Sequence, residues 1–137
     1  MNKIYEIPGK VFSSWEPSVK AMIDTWSSYA VSLAEFKEVV LSKGVSHAKL
    51  NGAKAWIVDS SQATGAFSKE IQSFIGSDIF PAFAKIGIKY FITITSQSAI
   101  TRMSISSYTE KAGPNGLSLL EVSSTEQAFE WLKKNLK

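Results

Sequence analysis

A chain of 137 residues, 45% apolar, 20% charged and without cysteine, suits one soluble globular domain, and the missing thiols exclude disulfides, thiolate nucleophiles and thiolate-bound zinc or iron–sulfur clusters. No stretch approaches the ~18 consecutive apolar residues of a membrane span, and the start MNKIYEIPGK lacks the apolar region of a secretory signal, so a cytoplasmic protein is expected. A net charge of +3 could suit nucleic acid, but Arg102 is the only arginine and the lysines are scattered, so no nucleic-acid partner is expected.

The first elements read as an antiparallel meander. Residues 3–7 (KIYEI) alternate apolar and polar side chains, Pro8-Gly9 offers a turn, and Val11-Phe12 begins a second strand segment. Residues 19–26 (VKAMIDTW) form a further strand with Val19, Ala21, Ile23 and Thr25 on one face. Ser32 is a suitable N-cap for a helix over 32–50, where Leu33, Phe36, Val39, Val40 and Ala48 share a face. Gly44 lowers helix propensity by about 1 kcal/mol relative to alanine, which leaves room for a break there, and Asn51-Gly52 supplies a left-handed end.

Ala55, Trp56, Ile57 and Val58 are continuously apolar, the pattern of a strand buried on both faces, and this is taken as the central strand. Apolar positions from Phe67 to Ile86 keep helical spacing behind a Ser68 N-cap, but Pro81 predicts a kink, or two helices meeting near residues 76–81. A second central strand follows over 88–95 (IKYFITIT). Ser98 could cap a short helix carrying Ile100, Met103 and Tyr108, and residues 113–116 (GPNG) are the strongest turn signal. A strand over 117–122 leads into Ser123-Ser124-Thr125-Glu126-Gln127, overlapping capping boxes for a last helix carrying Ala128, Phe129 and Leu132. The later strand–helix–strand units need parallel crossovers, so the expected fold is α/β, with a mixed, mainly parallel sheet of about five strands and four or five helices.

Parallel strands would bring Asp59, Ser60, Ser61, Thr95, Ser96, Ser123 and Ser124 to one carboxyl edge, where such sheets place ligands. The same residue types also cap helices and satisfy turn amides. His47, the only histidine, lies on or near the polar side of the first helix, and no G-x-S-x-G elbow accompanies it. No pair of carboxylates or histidines has metal-ligand spacing, so neither metal nor cofactor is expected. Trp56 and Trp131 suit the core, whereas Trp15 beside Pro17 is either exposed as a partner contact or packed locally.

Trp15, the run AWIVDSS, the Pro81 helix leading into GIKYFITIT and the closing SSTEQAFEWLKK together resemble STAS-type domains, more narrowly the SpoIIAA-like (STAS/SEC14) group of small bacterial proteins. The resemblance implies a non-enzymatic regulatory or binding module, acting through a protein partner or a small ligand. STAS-type anti-sigma factor antagonists carry a phosphorylatable serine in an Asp-Ser-Ser-Gly segment opening the helix after the central strand. Here Asp59-Ser60-Ser61-Gln62 ends the strand itself, and Ser68 stands nearest the family's serine. Related lipid-binding proteins hold an apolar ligand under a mobile helix, and Phe67, Phe74, Phe80 and Phe83 could line such a pocket beneath the segment from Phe67 to Ile86. Binding is thus expected at Asp59, Ser60, Ser61, Ser68, Thr95 and Ser96, or beneath that helix, in a monomer or weak homodimer.

Overall fold

A computed structural model describes residues 2–95 and 116–135. The expected Ser98 helix, Ser96 and residues 113–115 of the expected turn lie outside them. The protein is α/β, with one mixed sheet of six strands in sequential order: β1 (Asn2–Ile7), β2 (Val11–Glu16), β3 (Ala21–Trp26), β4 (Ala55–Asp59), β5 (Tyr90–Ile94) and β6 (Ser118–Val122). The pairs β1–β2 and β2–β3 are antiparallel, while β3–β4, β4–β5 and β5–β6 are parallel. The sheet exceeds the expected five strands because Val11-Phe12 opens a full strand, β2, whose inner Ser13 and Ser14 are both buried. At the other end of β2, residues Pro17–Val19 form a 3-10 turn closed by Lys20 in the left-handed region (φ 50), so β3 starts later than expected.

Three helical runs are present among the described residues, fewer than the four or five expected. In the first, α1 (residues 33–51), α-helical turns flank a π-helical stretch, Lys37–Val45. The second, α2 (residues 69–85), has the same construction around Ile75–Ile79. The third, α3 (Thr125–Asn135), is regular, and Ser124 Oγ accepts its Gln127 N–H at 3.2 Å. Ser32 and Glu35 form a reciprocal capping box on α1, and Ser68 Oγ accepts the Ile71 N–H on α2.

Neither Gly44 nor Pro81 divides its helix. Phe80 donates its N–H to Ile75 O, a widened turn immediately ahead of Pro81. A proline clashes with the carbonyl four residues back, and a widened turn relieves that crowding without ending the helix. At Gly44 the helix continues because the missing side chain is a packing requirement. A Cβ there would stand 2.9 Å from the ring edge of Trp56 and 3.2 Å from Val39 O.

Helices α1 and α2 cover one face of the sheet, and α3 packs on the other. The β4 residues divide between them by the period of two of a strand. Trp56 and Val58 join the α1/α2 core, while Ala55 and Ile57 join the α3 core with Val19, Ala21 and Ile23. The two-sided burial read from AWIV is thus observed, as is the shared face of Val19, Ala21 and Ile23. Trp15 is packed rather than exposed, 7% accessible, with its ring 5.7 Å from that of His47. That contact corrects the solvated placement of His47. It follows Gly44 by three positions on α1, lies beside the packed stripe half-buried, and its Nε2 has no hydrogen-bond partner.

The Gly44 contact predicts the outcome of Gly44→Ala. Helix propensity alone would stabilise the variant by about 1 kcal/mol. Overpacking against a ring that cannot swing away costs about 1–3 kcal/mol. A net loss on the order of 1 kcal/mol is expected in urea denaturation, with altered tryptophan fluorescence. A variant as stable as the parent would show that Trp56 does not hold α1 at this distance.

Candidate functional site

The carboxyl edge assembles largely as expected. Because β4, β5 and β6 are parallel, Asp59, Ser60, Ser61 and Thr95 come together where β4 and β5 end, and Ser123 and Ser124 follow β6. Their polar groups are turned inward on the chain itself. Ser60 is fully buried and donates its hydroxyl to Ile94 O at 2.6 Å, tying the end of β4 to β5. Asp59 Oδ1 accepts both the N–H and the hydroxyl of Ser61, at 3.0 and 2.7 Å, a turn in which an aspartate holds the amide two residues on. Thr95 donates its N–H to Val122 O, and Ser123 donates its N–H and hydroxyl to Gln127 Oε1. Ser68 stands apart as the cap of α2, beyond a loop anchored by Thr64 to Ser27 and by Tyr29 to Thr64.

A second cluster lies deep on the α1/α2 face and centres on Asp24 of β3, a residue the strand reading passed over. Asp24 is 2% exposed. Its Oδ1 accepts hydrogen bonds from Ser13 Oγ at 2.6 Å and Tyr5 Oη at 3.0 Å, and its Oδ2 accepts from Trp56 Nε1 at 3.0 Å. Register explains the convergence. Tyr5 pairs with Ser13, Ser13 with Asp24, and Asp24 with Val58, so one row across four strands points into the same core. One signal in the sequence could have found the acid. Met22, Asp24 and Trp26 alternate onto one face of β3, so the carboxylate sits between two large apolar neighbours on a buried side.

Among the described residues no cation pairs with this carboxylate, and the donors Tyr5, Ser13 and Trp56 are neutral. Burial disfavours the charged form and the hydrogen bonds oppose it only in part, so Asp24 is raised from 3.8 to about 6. Burial, reinforced by the Asp24 charge, likewise pushes the Tyr5 phenol well above its usual value. The donors also decide where a proton can go. An indole N–H can only donate, so Oδ2 stays an acceptor, whereas the Ser13 and Tyr5 hydroxyls can turn and accept. The neutral acid therefore carries its proton on Oδ1, with the geometry kept.

Asp24 forms part of the wall of a cavity of about 30 Å³ between the sheet and the two helices. The remaining lining comes from Trp26, Val58 and Phe91 of the sheet, Phe36 and Val40 of α1, Phe67, and Ile75, Ile79, Phe80 and Phe83 of α2. That volume suits about one or two water molecules as it stands. Its roof coincides with the widened turns: Val40 lies within the π-helical part of α1, and Ile75 and Ile79 within that of α2. Such turns are rare and concentrate at functional sites.

Among the described residues, no group of three histidine, aspartate or glutamate side chains could hold a metal ion, and no helix is long and apolar enough to cross a membrane. Compared with models of protein families, with curated proteins and with solved structures, the chain matches none.

The acid gives a signed pH dependence. Its folded value lies above its unfolded one, so the native state holds the extra proton between about pH 4 and pH 6, and stability contributed by Asp24 falls as pH rises through that window. Two pH units of displacement correspond to roughly 3 kcal/mol. Asp24→Asn keeps the shape of the neutral acid, its amide oxygen facing Trp56 and its NH₂ the two hydroxyls. Relative to that variant, the parent should lose stability by roughly this amount between pH 4 and pH 7.5 in urea denaturation. A constant difference across this range would mean that Asp24 is not desolvated.

Proposed function

We propose that the chain is a non-enzymatic binding module that takes a small ligand between its sheet and the roof formed by α1 and α2. One observation carries the reading. A buried carboxylate, with no cation beside it among the described residues, borders an apolar cavity roofed by the widened turns of two helices. A core built for stability alone would place an apolar residue at position 24, since an uncompensated buried charge destabilises. Pockets that combine apolar walls with one placed polar group and a perturbed acid are the usual binding sites of small molecules.

The STAS-like resemblance supports the same class of function, and the pocket lies beneath the Phe67–Ile86 segment where related lipid-binding proteins would hold their ligand. The present cavity is far smaller than a lipid chain, so a lipid-sized ligand requires α1 and α2 to separate. The carboxyl edge is the less suited of the two places, because Ser60, Ser61 and Asp59 Oδ1 are engaged within the chain. The serines are also poorly arranged for hydrolysis. The hydroxyls of Ser60 and Ser61 donate to Ile94 O and Asp59, while the sole histidine packs on Trp15.

A graded panel of small alcohols, amines and hydrocarbons, followed by thermal unfolding and amide chemical shifts, tests the reading. Binders should raise the melting temperature and shift resonances of α1, α2 and the cavity floor. Val40→Ile, which adds one methylene at the wall, should weaken them several-fold while the fold persists. Shifts confined to residues 59–61 and 95 would transfer the site to the carboxyl edge, and an inert panel would remove the pocket reading.

A further inference from the structure

We propose that this cavity selects a small organic cation, a protonated amine of about two heavy atoms, held between Asp24 and aromatic walls. The inference rests on the pocket reading above and adds the chemical class of its ligand. Six of the eleven described lining residues are aromatic: Trp26, Phe36, Phe67, Phe80, Phe83 and Phe91. Their rings pack as a connected set, with Trp26 5.0 Å from Phe67, Phe36 5.3 Å from Phe67, and Phe80 5.1 Å from Phe91. Faces of such rings attract cations, most strongly where water is excluded, and cages of this composition recognise ammonium groups.

The acid supplies the other half of the recognition. A carboxylate has about four acceptor positions, and Tyr5, Ser13 and Trp56 occupy three. All three donors are neutral, so the site keeps a net negative charge whenever Asp24 is ionised. No other lining residue among the described ones can carry a charge. Because the fold already desolvates the acid, an entering cation sheds only its own water. A neutral alcohol could fill the remaining acceptor position but would leave the charge uncompensated. The seam between the helices carries a related contact within the chain, where the Lys37 ammonium lies 5.1 Å from the centre of the Phe74 ring, itself packed edge-on to Phe36.

The pH dependence follows from the groups around Asp24. Among the described residues, Tyr5 on β1 is the one other titratable side chain bonded to it, Ser13 on β2 and Trp56 on β4 do not titrate near neutrality, and the facing residues of α1, α2 and β5 are apolar. Affinity for a cation should therefore decline as Asp24 takes up its proton below about pH 6.

The test compares near-isosteric pairs on the full chain: methylammonium with methanol, and ethylammonium with ethanol, read by the indole N–H resonances and by melting temperature at pH 7.5 and pH 5. The ammonium member of a pair should bind at least tenfold more tightly at pH 7.5, lose most of that preference at pH 5, and lose it at both pH values in Asp24→Asn. Phe36→Leu, which keeps the pocket apolar, should reduce the preference several-fold and serves as the decisive variant if Asp24→Asn does not fold. Equal binding of amine and alcohol, or an ammonium preference that survives both substitutions, overturns the cation assignment and leaves the pocket reading standing. If no member of either pair perturbs the cavity, which then holds water only, both are overturned.

Discussion

The hydrogen bond from Trp56 Nε1 to Asp24 Oδ2 is the constraint on which the α1/α2 face depends. It joins adjacent parallel strands through side chains and fixes the indole in one orientation. In that orientation the ring stacks on Phe83 of α2, with centroids 4.2 Å apart and planes 19° apart, and presents its far edge to Gly44 of α1. One side chain thus spaces both helices from the sheet. Without the bond the ring would be free to rotate, and the close approach at Gly44 would lose its reason.

The opposite face is held differently. There Ala21, Ile23, Ala55, Ile57, Ile92 and Ile94 meet Ala128 and Leu132 of α3, a core of small and branched residues with no buried acid among the described residues. Aliphatic packing of this kind is tight and needs no polar specification. The asymmetry places a polar row and the larger ring cluster on one side of the sheet, while the other carries the edge-on Tyr90–Trp131 pair at its margin.

Much of this architecture was legible in the sequence. The two-sided burial of residues 55–58, the shared face of Val19, Ala21 and Ile23, the caps at Ser32 and Ser68 and the meeting of Asp59, Ser60, Ser61 and Thr95 all follow from local pattern and connection rules. The unbroken course of α1 and α2 was not, because Gly44 and Pro81 are judged as helix breakers until their tertiary neighbours are known. For Gly44 that neighbour is an indole more than ten residues on. Asp24 was hidden for a related reason. An acid within a strand ordinarily marks a solvated face, and only the register with Ser13 and Tyr5 turns it into the centre of a buried row.

The choice of donors around Asp24 has a consequence for how the site can work. A lysine or arginine partner would fix the carboxylate as an anion and close the site electrostatically. Two hydroxyls and an indole instead satisfy either protonation state in nearly one geometry, since the hydroxyls can reverse direction and the indole need not. Charge at position 24 can then change without rebuilding the core. The cavity beside it can be neutral or negative while its walls stay in place, and that property lets a ligand's charge, rather than its shape alone, decide occupancy.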